Sequence, residues 1–259
     1  MSELTFVHWV VLIIGAGVMG LSKGGIPGAG NLTVALFALV LEDALGAAGI
    51  ALSVGLLLPV LISADLASTI IYRKHVEWSH VRRLLPYFLI GVMMGWWAFD
   101  FFKPLERANA LKALIGVILL GITALRFLTQ LISTNKENDS VHIPLYFGPP
   151  LGILGGVATM LANAAGPIAQ FYLLAMRLPK YAFIGTSAWL FLMVNLSKVP
   201  LMHELGILNR EIFYVSSWLF IPAIIGALIA PKIVRYIRQD WFEAMIWFFI
   251  VVAGLRMII

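Results

Sequence analysis

The sequence predicts an all-helical polytopic membrane protein of two inverted-topology repeats, each a Gly/Pro-broken helical hairpin plus three transmembrane helices. Three observations carry this expectation. The 259 residues are 61% hydrophobic and 12% charged, with a mean hydropathy of +0.96. A soluble domain carries about 25% charge, so this composition cannot present a water-compatible surface; its length suits roughly eight to ten spans of ~20 residues. Each half also contains a Gly/Pro break inside an apolar stretch, Leu21-Ser-Lys-Gly-Gly-Ile-Pro-Gly-Ala-Gly-Asn31 and Ala162-Asn-Ala-Ala-Gly-Pro-Ile-Ala-Gln170. Finally, the basic loops change place between the halves, as they would if one half were inverted.

The elements follow in order. A first broken segment runs over about Leu4–Leu41 and ends at Glu42-Asp43. Its arm beyond the break is about eleven apolar residues, ~16 Å of helix and too short to span. A long span then reaches Tyr72 and is followed by Arg73-Lys74-His75 and Arg82-Arg83; the next ends near Asp100–Arg107, and another covers about Ala108–Ile132. Ser133–His142 is the one strongly hydrophilic stretch and reads as the linker between halves. The second half repeats the order: a broken segment over Tyr146–Met176, then spans near Ala182–Met202, Ile212–Pro231 and Trp241–Ile259. The division is therefore 1–132 for the N-terminal repeat, 133–145 for the linker and 146–259 for the C-terminal repeat. Pro27 matches Pro167, Gly95 matches Gly226 and Arg126 matches Arg256, and one indel after the break reconciles the offsets.

Loop charge orients the chain. Arg73–Arg83 is rich in Lys and Arg and is placed in the cytoplasm. Its counterpart His203–Glu211 holds only Arg210, whereas Lys232–Arg238 holds three basic residues and no acid. If each broken segment returns to the side it entered, the halves run antiparallel and both termini lie outside. The pI of 9.6 reflects these short loops rather than a nucleic-acid surface. Glu3 is the only charge before the first apolar run, which argues against a signal peptide. The absence of cysteine excludes disulfides and thiolate chemistry.

A broken helix frees backbone N–H and C=O groups that hydrocarbon cannot satisfy, so a break at membrane depth lines a cavity or is buried in protein. Breaks at corresponding places in two halves point to the binding site of a transporter. Both breaks are expected to meet near the midplane around a small polar cavity. Lys23, in a loop with no other charge, reads as the partner of an anion, beside backbone N–H groups freed by Gly24, Gly25 and Gly28 and by the helix starting near Asn31, with Pro27 as a further site residue of the break; its plain alternative is a cytoplasmic loop lysine. The second break, with Gly166 and Pro167 as site residues, supplies the second set of backbone N–H groups from within Ala165–Ile168. Asn163, Gln170 and Asn195 are amides that donate to an oxyanion or, alternatively, satisfy broken backbone and bind helix to helix. Lys198 joins the ligand set unless its stem snorkels toward Glu204. Asp65, eight residues before Arg73, is an intramembrane carboxylate and the candidate for proton coupling, for pairing with a lysine, or for anchoring a polar network. His8, His75, His80, His142 and His203 lack metal-ligand spacing, and the tryptophans suit interfacial belts. No metal and no cofactor is expected.

Gly20-Leu-Ser-Lys-Gly-Gly-Ile-Pro-Gly-Ala-Gly30, Gly55-Leu-Leu-Leu-Pro59 through Ala64-Asp65 to Tyr72-Arg-Lys-His-Val-Glu-Trp78, and Asn195-Leu-Ser-Lys-Val-Pro200 before Leu205-Gly206 together resemble the sulfite exporter TauE/SafE family. Many members of that family have a run of glycines where this chain has Ala164-Ala165-Gly166. The resemblance implies export of a small anion, sulfite or an organosulfonate, across the bacterial cytoplasmic (inner) membrane by alternating access. The expected partners are the anionic substrate and the lipid bilayer, with no nucleic acid, and a homo-oligomer is left open. Proton-coupled uptake of a sulfonate or carboxylate is the alternative, followed by an anion channel. An intramembrane enzyme is disfavoured, because Ser187 and Ser197 have no evident His partner and Asp65 no second carboxylate in the spans.

Overall fold

The structure is a computed structural model and describes residues 4–26, 29–102 and 148–258. The expected span at 108–132 and the linker at 133–142 lie outside the described residues. Ten helices fill the rest, with no strand among the described residues. They are α1 (Phe6–Lys23), α2 (Ala29–Leu45), α3 (Ala47–Ile71), α4 (Trp78–Phe102), α5 (Gly148–Ala162), α6 (Gly166–Ala175), α7 (Lys180–Glu204), α8 (Arg210–Trp218), α9 (Phe220–Val234) and α10 (Gln239–Ile258). Among the described residues α1, α7 and the Gly49–Ile71 stretch of α3 are each long and apolar enough to cross a membrane; α8 and α9, bent by 45° at Leu219, together make a fourth.

Both breaks open hairpins that return to the side they entered. The imidazole of His8, near the start of α1, lies 2.9 Å from the Asp43 carboxylate near the end of α2. Thr33 of α2 donates to the Gly15 carbonyl of α1 at 3.0 Å, where Gly15 lets the Phe37 ring approach. The second hairpin likewise brings Gly148, at the start of α5, against the Tyr172 ring late in α6.

One expectation about the first hairpin needs correction. The arm beyond the first break is not a short one: α2 runs for 17 residues, or ~25 Å. Glu42 and Asp43 do not end it, since their exposed carboxylates are solvated while the helix continues; the stop comes at Gly46, whose φ of +68° suits a residue without Cβ. Both breaks are also tied to α3. The Tyr72 hydroxyl, just past the C-terminal end of α3, donates to the Gly24 carbonyl at 2.7 Å, whereas the Asn163 amide donates to the Val54 carbonyl near the N-terminal end of α3 at 3.0 Å. Those anchor points are eighteen residues, or ~27 Å of helix, apart.

α3 and α7 are buried over most of their length, α1 over far less. They run antiparallel: Tyr72 at the end of α3 stacks on Tyr181 at the start of α7, and Gly55 of α3 abuts the Ile207 carbonyl just past α7. Around this pair the hairpins pack crosswise. α1 lies along α9, Gly20 and Gly24 facing Ala223, Ala227 and Ala230, while α5 lies along α4, Gly152 and Gly156 facing Tyr87, Phe88 and Gly91. Small residues at four-residue spacing let helix backbones approach closely, which is how helices associate when lipid removes the hydrophobic drive between them. The outer faces are apolar, with Ile13, Ile14, Ile70, Trp97, Ile221 and Leu228 exposed, as suits contact with hydrocarbon.

Candidate functional site

One face of α7 and one of α3 build the site. On α7, Ile184, Ser187, Phe191 and Asn195 recur at three- and four-residue spacing and so project on one side. Leu61 and Asp65 do the same on α3. With Ser22, Lys23 and Gly25 of the first break and Asn163, Ala165, Gly166, Pro167 and Gln170 of the second, they line a cavity of about 80 Å³. A water needs ~10–15 Å³ measured this way, so the space suits a few waters or one small oxyanion.

A continuous polar chain crosses the cavity wall. The Lys23 ammonium sits 2.8 Å from Asp65 Oδ1 and 4.2 Å above the centre of the Phe191 ring. Asn195 Nδ2 donates to Asp65 Oδ2 at 2.8 Å. Lys198 Nζ in turn donates to Asn195 Oδ1 at 3.3 Å, Asn163 Oδ1 at 2.6 Å and Thr159 Oγ1 at 3.2 Å. Asp65 and Lys198 are completely buried, and Asn195 nearly so. A buried charge is tolerated only when it is compensated: Asp65 is paired with Lys23 and hydrogen-bonded by Asn195, and the Lys198 nitrogen is surrounded by three oxygens. The fold achieves this at strained backbone: Asn163 adopts φ +52° at the second break, which aims its amide at Val54 and its carbonyl oxygen at Lys198.

The expected site residues divide as follows. Lys23, Gly25, Asp65, Asn163, Gly166, Pro167, Gln170 and Asn195 all line the cavity. Pro27 and Gly28 lie outside the described residues, as does the side chain of Asn31. Gly24 does not line the cavity; its place is the α1–α9 interface, where a Cβ would come within 2.5 Å of the Ala230 Cβ. Gly24 and Gly25 do not offer the free donors foreseen for them. The N–H groups of Gly24, Gly25 and Ile26 bond to the carbonyls of Gly20, Ser22 and Leu21, because the end of α1 closes on itself as a helix C-terminus does. The second break does present a helix start, with Ala165 capping α6 and Pro167 in its first turn. Lys198 does not snorkel: with three oxygens around its ammonium it turns inward, and it stands behind the cavity wall rather than in it.

Further residues join the site. Thr159 sits one turn before Asn163, and its hydroxyl completes the shell of Lys198. Phe183, Phe191 and Phe242 give the cavity an apolar side. Ser187 lines it with a buried hydroxyl that has no protein partner. For Thr159, Ser187 and Phe191 the signal in the sequence was helical spacing from Asn163 and Asn195, which is too common among apolar helices to single them out; Phe242, on α10, had no such signal.

The architecture is that of a polytopic membrane protein enclosing a cation-bearing polar cavity between two broken hairpins. The family model described as Sulfite exporter TauE/SafE matches residues 12–257, nearly the whole chain, and the chain belongs to that family. It is thus a membrane transporter of the sulfite-exporter type. No curated protein and no solved structure matches it.

Proposed function

We propose that this protein carries a small sulfur oxyanion or organosulfonate out of the bacterial cytoplasm by alternating access, and that the cavity is its substrate site. The observation that carries the reading is Lys23: an ammonium at the enclosed cavity, side chain 16% exposed, with only one carboxylate beside it. An intramembrane charge so placed is a functional candidate by default. Family membership supports the substrate class, and the start of α6 at the cavity supports anion binding, since a helix N-terminus favours negative charge.

The same reading takes 1–132 and 146–259 as inverted repeats joined by 133–145, with both termini outside. The antiparallel course of α3 and α7, the returning hairpins and their crosswise packing support it. Export needs no further energy source, because each net negative charge leaving an inside-negative cell gains about 2.3 kcal/mol per 100 mV.

The test is flux of radiolabelled sulfite and sulfonate in proteoliposomes under imposed potential and pH gradients. Lys23→Ala should weaken anion binding ten- to a hundred-fold, since a charge-assisted hydrogen bond is worth ~1.5–3 kcal/mol, and Lys136→Ala in the linker should change nothing. Unaltered anion affinity in Lys23→Ala removes the site assignment. Flux that requires a proton gradient and is lost in Asp65→Asn replaces export with proton-coupled uptake.

A further inference from the structure

We propose that Asp65 sets the charge of the ligand, so that the cavity takes a singly charged anion in preference to a doubly charged one. The inference rests on the anion-transport reading above and makes Asp65 a specificity-determining residue of that site.

Lys23 and Asp65 are the only charged side chains among the described residues lining the cavity. Lys198 stands one layer behind, and its contacts follow from the orientation of two amides. The Asp65 carboxylate and the Val54 carbonyl only accept hydrogen bonds, so Asn195 and Asn163 must turn Nδ2 toward them. Both Oδ1 atoms therefore face Lys198, and with the Thr159 hydroxyl they surround its nitrogen with three oxygens. Those contacts occupy Lys198 and keep it behind the cavity wall. Asp65 is equally engaged, Oδ1 by Lys23 and Oδ2 by Asn195, and lines the cavity as a fully buried group.

The ligand thus meets one charge of each sign, the Lys23 ammonium and the Asp65 carboxylate behind it. A ligand bearing one negative charge is drawn by Lys23 and repelled by Asp65 once. A second negative charge would find no further cation among the described residues of the cavity wall and would lie close to the Asp65 carboxylate, in surroundings where an unbalanced buried charge is costly. The remaining cavity groups, Ser22, Ser187 and Gln170, bring neutral donors that can satisfy ligand oxygens without changing this balance. The unpartnered Ser187 hydroxyl is the most available of them. Remove the Asp65 charge and that repulsion goes, to the greater gain of a dianion.

Methanesulfonate and sulfate test this directly: both are compact tetrahedral sulfur oxyanions, and they differ by one charge. Their equilibrium affinities are measured on the full-length protein purified in detergent, in wild type and in Asp65→Asn. Wild type should bind methanesulfonate at least about tenfold more tightly than sulfate, and Asp65→Asn should move the ratio toward sulfate by at least about tenfold, since unit charges a few ångströms apart interact by several kcal/mol near a protein surface. The methyl group of methanesulfonate contributes equally in both proteins, so the shift in ratio isolates the charge. Wild-type protein binding sulfate as tightly as methanesulfonate overturns the proposal, as does an unshifted ratio in folded Asp65→Asn. Should Asp65→Asn not fold, the wild-type ratio alone decides. Binding in the wrong order removes this inference and leaves the anion-transport reading standing; wild-type protein that binds neither anion removes both.

Discussion

The Lys23–Asp65 pair makes a sharp thermodynamic prediction. Asp65 is completely buried and takes its two contacts from the Lys23 ammonium and the Asn195 amide, each at 2.8 Å. Lys23→Met deletes the counter-charge, leaves the carboxylate buried against Asn195 alone, and replaces the aliphatic stem with one of similar volume. Removing one partner of a buried ion pair costs about 3–5 kcal/mol, because the other charge is stranded, whereas replacing both with apolar groups is often near neutral. The double variant Lys23→Met/Asp65→Leu should therefore be more stable than Lys23→Met alone. It loses the Asp65–Asn195 hydrogen bond as well, and the stranded amide takes back about 1–3 kcal/mol. The coupling between the two sites should come out near 2 kcal/mol or more. At roughly 2–4 °C per kcal/mol for a chain of this size, Lys23→Met should lower the unfolding midpoint by about 10 °C. Thermal unfolding in detergent, followed by intrinsic tryptophan fluorescence, reads all four proteins of the cycle. Simple additivity of the two single substitutions would refute the argument, since independent sites have no charge to strand.

Two further predictions concern architecture. A Cβ on Gly20 would stand 1.9 Å from the Ala223 carbonyl oxygen and 2.9 Å from the Ala227 nitrogen, all backbone of α9, so Gly20→Ala must push α1 off α9 and should cost at least about 1–3 kcal/mol. Gly17→Ala, on the same helix with its nearest neighbour at 3.8 Å, should stay within about 0.5 kcal/mol of wild type, and equal unfolding midpoints for the two variants would count against the packing described. Because the chain has no cysteine, single substitutions report sidedness cleanly. An impermeant thiol reagent added outside intact cells should label Glu42→Cys and Glu204→Cys, and reach Lys74→Cys and Arg235→Cys only after lysis. Labelling of Lys74→Cys and Glu204→Cys from the same side would sink the inverted arrangement.

Much of the site was legible because intramembrane polar residues are scarce. Lys23, Asp65, Asn163, Asn195 and Lys198 stand out against apolar surroundings, since each carries a desolvation cost that a purely structural helix would avoid. The breaks were legible for a related reason, as Gly and Pro interrupt a helix by backbone sterics that need no tertiary context. Pairing was not legible. Lys23 and Asp65 are separated by an entire hairpin arm and most of α3, and nothing local says whether an ammonium at a break meets a carboxylate, a ligand or water.

Local chemistry also misled where it met long-range packing. Glu42-Asp43 resembles a loop, but exposed carboxylates do not interrupt a helix, and α2 runs on to Gly46. Six residues from Glu204, Lys198 had the reach to snorkel, yet Thr159, Asn163 and Asn195 together outbid water for its ammonium. The Gly24–Gly25 backbone suggested free donors, which the end of α1 consumes.

The sequence by itself determined the membrane class, the helical content, the places of the breaks and the short set of polar residues that must be buried, because composition and backbone sterics act residue by residue. That both breaks reach one cavity was expected from the sequence, but only the tertiary structure decided that they are anchored toward opposite ends of α3. It alone decided, too, that Lys23 and Lys198 are bridged by Asp65 and Asn195 rather than both facing the ligand. Those outcomes depend on which helices lie side by side, and in lipid that is settled by close packing of small residues such as Gly20 against Ala223, whose partner no local pattern names.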